Sequence, residues 1–224
     1  MREVHSASDI VPHIKTIEVY ESPADLESLR QSKFKLCLAH TFLANNNLVS
    51  TLAWKSLSPA PFTPITWQAS YALNWTDELP NGISDPITLS GLWQPCKKGE
   101  VFDLDPTGLW SRSSKTPVPG KLMVGINRFK GDIGTGVFIV IGLKGKDDKF
   151  DPIFIDHVNV GLNMSAIFEP SDVVKWWYRA EIEAAETLSP EESYDMATVS
   201  YVSSTYSYVD GVWATSIDRA PRLV

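Results

Sequence analysis

The stretch Thr66–Thr76, TWQASYALNWT, alternates with a period of two almost throughout. Trp67, Ala69, Tyr71, Leu73 and Trp75 fall on one side, and Thr66, Gln68, Ser70, Asn74 and Thr76 on the other. Successive side chains of a strand point to opposite faces, so the pattern predicts one long strand with a buried surface and a wet one. Trp67, Tyr71 and Trp75 share the apolar side and are large enough to dominate any core they enter, so they are read as structural.

The segments around it repeat the theme. Lys15–Glu21 alternates as a short strand, and Ser22-Pro23-Ala24-Asp25 then supplies a cap, a proline for the first helical position and an early acid. A short helix to about Ser32 follows from that chemistry. Phe34, Leu36, Leu38, His40 and Phe42 share one strand face; Asn45-Asn46-Asn47 is a turn, and Leu48–Leu57 returns as the partner strand. Pro59, Pro61 and Pro64 stiffen the approach to the aromatic stretch, and Asn81-Gly82 marks a loop after it. Ile87, Leu89, Gly91 and Trp93 alternate, with shorter strands predicted at Glu100–Asp103, Gly108–Arg112 and Leu122–Ile126. The continuous apolar run Val137–Leu143 reads as a central strand buried on both faces. Asp210-Gly211 between two β-prone runs is a strong two-residue hairpin signal.

Val173–Glu186 fits two periods. Val174, Trp177, Tyr178, Ile182, Ala185 and Leu188 make a helical stripe, whereas Val174, Trp176, Tyr178, Ala180 and Ile182 make a strand face. Aromatic and β-branched residues decide for a strand over about 173–182. The predicted fold is therefore one all-β domain over residues 1–224, a mainly antiparallel sandwich with one or two short helices, residues 1–14 forming a loose arm.

Composition limits the function classes. At 224 residues the chain can build a large core without staples. A formal charge of −7 with scattered cations argues against nucleic acid, whose phosphates need a basic field. Residues 1–10 lack the apolar core of a secretory signal, and the longest apolar run is too short to span a bilayer, so a cytoplasmic location is expected. The sequons at Asn74 and Asn163 are then expected unmodified, and Cys37 and Cys96 to be free buried thiols.

Motifs for chemistry are sparse. Asp103-Leu104-Asp105-Pro106-Thr107-Gly108 matches the nucleophile loop of haloacid-dehalogenase-type phosphatases, but the alternating helices of that architecture are missing. It also begins like a calcium loop, yet position twelve is Ser114 rather than a bidentate Glu. An ordinary turn is the better reading. Gly131–Gly136 precedes a strand instead of opening a helix and lacks a lysine, so it reads as an inter-strand loop rather than a phosphate cradle. His40 is expected to be a hydrogen-bonded core residue. Asp156 and His157 are adjacent and cannot share a strand face, and His5 and His13 lie in the arm. No Ser-His-Asp or Cys-His order emerges, and no metal or cofactor site is predicted.

Trp176-Trp177 is the most useful pair, because neighbours on a strand cannot both face the core. With Trp176 inward beside Val174 and Tyr178, Trp177 points outward between Lys175 and Arg179. An outward indole flanked by cations suits sugar stacking, an anionic aromatic ligand or a subunit contact. The alternative is that a loop or helix covers it. Trp93 and Trp110 bracket a turn-rich stretch and are added to Lys175, Trp177 and Arg179 as candidate ligand contacts.

The runs GLWQPCKKGEVFDLDPTGLW (91–110), ITWQASYALNWT (65–76) and VVKWWY (173–178) are similar to uncharacterised cytosolic β-rich proteins of filamentous fungi, over roughly Phe34 to Asp195. The resemblance implies a β fold and a fungal cytosol, and assigns no residue roles. Two functions are compatible with these residues. One is a non-catalytic binding protein for carbohydrate or a small molecule, with a homo-oligomer as a possible form. The other is a cofactor-independent isomerase or cyclase holding an apolar metabolite in an aromatic-lined pocket.

Overall fold

The computed structural model describes residues 14–80, 85–131, 134–145, 147–180, 183–188, 197–199 and 203–215. The expectations for residues 1–13, including His5 and His13, for Asn81-Gly82 and for the end of the 173–182 strand lie outside them. The described chain is an all-β, mainly antiparallel sandwich with one short helix, its strands grouped in four small sheets that do not close into a barrel.

The first sheet has the order β17 (Val212–Thr215), β16 (Ser203–Val209), β1 (Ile14–Glu21), β5 (Phe62–Gln68), and β1 runs parallel to β16. Facing it is the sheet of β15 (Ala197–Val199), β14 (Pro170–Ala180) and β2 (Phe34–Ala44), with β3 (Asn47–Val49) and β4 (Lys55–Leu57) both pairing with β2. The third sheet runs β12 (Phe150–Ile155), β11 (Phe138–Lys144), β6 (Tyr71–Thr76), β7 (Gln94–Cys96). The fourth runs β13 (Ala166–Phe168), β10 (Leu122–Asn127), β8 (Val101–Leu104), β9 (Trp110–Arg112). One continuous core joins all four. Trp176 meets Tyr206 across the first two sheets, Phe42 meets Phe154 between β2 and β12, and Phe154 meets Phe168 of β13.

Local chemistry places the elements as the sequence predicts. Helix α1 (Pro23–Gln31) is capped by the Ser22 hydroxyl, which accepts from the Asp25 N–H at 3.1 Å, with proline at its start. Asp210 and Gly211 have φ of 52° and 75°, the two positive values that a tight hairpin between β16 and β17 needs. Asn45 and Asn46, at 49° and 65°, turn β2 into β3 in the same way. β11 is buried from Ile139 to Leu143 between β6 and β12, and Cys37 and Cys96 are free and buried. Asn74 is buried within β6, which closes that sequon to modification in the folded state.

The aromatic stretch departs from its reading. It is two strands rather than one, β5 in the first sheet and β6 in the third, broken at Ala69-Ser70. There the Ser70 N–H bonds back to the Gln68 carbonyl at 2.7 Å, and the Ser70 carbonyl accepts from Lys144 at 2.9 Å. Trp67 and Tyr71 keep the same phase and stay buried, so alternation survives the corner while the partner sheet changes. Nor does β6 have a wet side: all six of its residues are buried. Leu48–Leu57 is likewise two strands, because 50–54 leaves the ladder, and Ile87–Trp93 is irregular where alternation suggested a strand.

Candidate functional site

The strand reading of Trp176-Trp177 holds in phase and fails in exposure. β14 pairs with β2 so that Trp176 lies opposite Leu38 and Trp177 opposite Cys37, which puts the two indoles on opposite faces. Trp177 is nevertheless only 5% exposed, packed with Cys37, Ala39, Ala53 and Leu188. The cover comes from 51–53 and 185–188, which bond to each other: the Ala53 N–H to Glu186 at 2.9 Å, Ala185 to Ala53 at 2.7 Å, Leu188 to Thr51 at 3.0 Å. The face expected to meet ligand is therefore roofed. Lys175 is half-buried, its ammonium 3.5 Å from the Leu48 carbonyl, and burial lowers its pKa. Arg179 sits opposite Lys35 at the edge of the same face.

Trp93 and Trp110 lie elsewhere. Trp93 packs on the outer face of the third sheet with Val140 and Ile155, 5.8 Å from the Phe150 ring and directly over Gly142. A Cβ at Gly142 would stand 2.6 Å from the Trp93 ring, so Gly142→Ala is expected to cost about 1–3 kcal/mol and to shift Trp93 emission. Parental stability and emission in that variant, read by denaturation and fluorescence, would refute this packing. Trp110 is half-buried on β9, and its indole N–H reaches the Leu92 carbonyl at 3.2 Å, tying it to the residue beside Trp93.

Asp105 is the turn residue it resembled, its carboxylate accepting from the Thr107 N–H at 2.8 Å and Leu109 at 3.1 Å. Asp103 points the other way, onto Arg128 at 3.0 Å and the Ile126 N–H at 2.9 Å, so the two acids do not form one loop site. Gly134 and Gly136 lead through a bridge at Val137 into β11, while 132–133 lie outside the described residues. Among the described residues no three His, Cys, Asp or Glu side chains converge to hold a metal ion.

The constellation that the sequence did not assemble forms at the corner between β5 and β6. His40, on the inward face of β2, is 4% exposed and lies 4.5 Å from Trp54 and 5.7 Å from Trp67, the two indoles themselves meeting edge-on at 5.7 Å. Trp54 is placed by its own N–H, which bonds the Leu38 carbonyl at 2.7 Å. Burial, with a lesser push from the Lys15 ammonium, takes His40 down to about 3, so the imidazole is neutral at pH 7. The sequence reading that it is a core residue is correct. Its expected hydrogen bonding is not complete, because His40 Nε2 and Trp54 Nε1 are both buried without a partner among the described residues.

Charged groups surround this cluster of rings. The Lys15 ammonium pairs with Asp172 at 2.6 Å, and that hydrogen bond is the largest influence lowering the Asp172 pKa. Tyr71, just after the corner, has its hydroxyl pushed up by burial and secondarily by Asp172. Lys98 stands 5.7 Å over the Tyr71 ring and Lys55 5.4 Å over the Trp54 ring, the latter also paired with Asp151 at 2.6 Å. Strands β1, β2, β5, β6 and β14 all contribute. Aromatic side chains with a few convergent polar atoms are the residue types that line small-molecule sites.

The opposite end of the same sandwich buries Glu21, which accepts from the Tyr178 hydroxyl; burial raises its carboxyl and that hydrogen bond opposes the rise. Tyr178 stacks on Trp213 at 5.3 Å, with Tyr208 within 4.9 Å of both. The other carboxylate oxygen, Glu21 Oε2, is buried without a partner among the described residues, but the surrounding rings are tyrosines and Trp213 stacked on one another rather than around the acid. Comparison with protein-family models, curated proteins and solved structures finds no match, so the chemistry rests on the geometry alone.

Proposed function

We propose that the protein is a non-catalytic binder of a small organic molecule, which it takes at the His40–Trp54–Trp67 corner. The observation that carries this reading is the pair of buried polar atoms, His40 Nε2 and Trp54 Nε1, without partners among the described residues in an aromatic setting. A buried polar group left unpaired costs about 1–3 kcal/mol, and a ligand hydroxyl, which can both donate and accept, would recover that cost at these two atoms. Carbohydrate is the less favoured ligand. Sugar stacking needs an open ring face, and of the eight tryptophans five are buried, three half-buried and none exposed.

The isomerase or cyclase reading draws support from the enclosure of a polar group by aromatics. Against it, an imidazole held near 3 is a poor general base at neutral pH, since proton transfer is efficient when the pKa lies near the working pH. Binding is therefore preferred to turnover. The cytosolic setting, the fungal resemblance and a homo-oligomer belong to the same proposal.

Intrinsic tryptophan fluorescence during a screen of glycans and aromatic metabolites tests it. Trp54→Phe keeps the ring and removes the donor, and is expected to weaken a ligand found this way about 3- to 10-fold, the worth of one net hydrogen bond. A ligand whose affinity is untouched by both Trp54→Phe and His40→Gln would place the site elsewhere.

A further inference from the structure

We infer that the ligand is an organic anion with an aromatic or apolar body, and that its anionic group replaces Asp172 on the Lys15 ammonium. The inference rests on the binding site proposed above and adds the class of molecule it takes. It starts from an asymmetry in one ion pair. The Lys15 side chain is 13% exposed and the Asp172 side chain 61%, although they meet at 2.6 Å. The Lys15 side chain is the more covered of the two and its charge is felt at His40, while its partner stands at the surface. An exposed carboxylate can rotate into water at little cost; a lysine whose side chain is mostly covered has less water to turn to when its partner leaves.

That difference is a selectivity rule. A neutral ligand that displaced Asp172 would strand Lys15, whereas a carboxylate or similar anion would take over the pairing. The surroundings agree. The chain carries a formal charge of −7, yet Lys15, Lys55 and Lys98 all border this corner. Lys98 is exposed, placed by the Pro170 carbonyl at 3.3 Å two residues from Asp172, and so supplies a second cation on the surface beside that carboxylate. The indoles of Trp54 and Trp67 supply the apolar wall. Asp172 then acts as an internal competitor, occupying the anion position until a ligand arrives.

The test uses 4-phenylbutyrate and its neutral amide on the full chain, by calorimetry and tryptophan fluorescence. The acid is expected to bind at least tenfold more tightly than the amide, and to weaken with added salt. Asp172→Asn removes the competitor and is expected to tighten the acid several-fold without helping the amide. Lys98→Gln, at an exposed position, is expected to reduce the preference for the acid; Lys15→Met should abolish it, and Lys98→Gln remains informative if the Lys15 variant fails to fold. Equal affinity of acid and amide at a site that His40→Gln destroys would overturn this inference while leaving the binding site in place. An acid affinity unchanged by Asp172→Asn would overturn it too. Absence of binding by either probe and by every compound of the wider screen would remove both readings.

Discussion

Replacing Trp177 by alanine is expected to destabilise the protein as much as replacing Trp67, by roughly 3–5 kcal/mol in each case. The two side chains are 5% and 8% exposed, on opposite sides of the sheet formed by β2 and β14. Trp67 fills the space between facing sheets, and its loss leaves a cavity beside His40. Trp177 fills the space between that sheet and the 183–188 segment that lies across it, against Cys37, Ala39, Ala53 and Leu188. Its removal strips the roof of its only large contact in that cluster. Against a total stability of 5–15 kcal/mol for an ordinary domain, either loss is large enough to see as a displaced denaturation midpoint. A change under about 1 kcal/mol for Trp177→Ala, with altered self-association instead, would mean that the face is open.

Acid is expected to destabilise the protein, and His40 contributes to that loss beside carboxylates such as Asp172, whose pKa the Lys15 pairing holds below its ordinary value. The His40 pKa is about 3 in the folded state against an ordinary 6.5, so between those values the unfolded chain takes up a proton that the native state refuses. The stability contributed by the neutral imidazole is complete above about 6.5 and is lost as pH falls toward 3, at up to roughly 1.4 kcal/mol per pH unit. Glu21 works with the opposite sign. Its raised carboxyl pKa costs stability as pH climbs, so it cannot produce the acid loss. His40→Phe keeps a ring among Trp54 and Trp67 and cannot titrate. It should match or exceed the parent at pH 7, because a buried nitrogen without a partner among the described residues disappears. At pH 4 it should exceed the parent by on the order of 3 kcal/mol. Denaturant melts of both proteins at pH 7, 5 and 4 provide the comparison; parallel declines would show that His40 is not buried neutral.

Much of the fold was legible because its signals are local. The Ser22-Pro23 cap, the Asp210-Gly211 turn, the run at Val137–Leu143 and the strand over Val173–Ala180 depend on residues near each other in sequence, and each appears in place. The phase of Trp176 and Trp177 was legible for the same reason. Exposure was not, since alternation reports which way a side chain points and says nothing of what covers it. The cover of Trp177 comes from 51–53 and 183–188, one of them more than a hundred residues away. The break at Ala69-Ser70 was hidden because Trp67 and Tyr71 are four residues apart and keep one phase whether the strand is straight or turns a corner. The candidate site depends on that corner. His40, Trp54, Lys15 and Asp172 are scattered from one end of the chain to the other, and only pairing of β2 with β4 and β14, and of β1 with β5, brings them together. One hint was available: a histidine on an otherwise apolar strand face must be either satisfied or used.

The most direct test of the binding corner is nitrogen-detected NMR of the histidine side chains before and after saturation with the tightest ligand from the screen. Of the four histidines, His40 should be neutral at pH 7 without ligand, and its Nε2 resonance should move on binding while the other three stay in place. A ligand that shifts the Trp93, Trp110 or Lys175 signals and leaves His40 unmoved would contradict the assignment of the site.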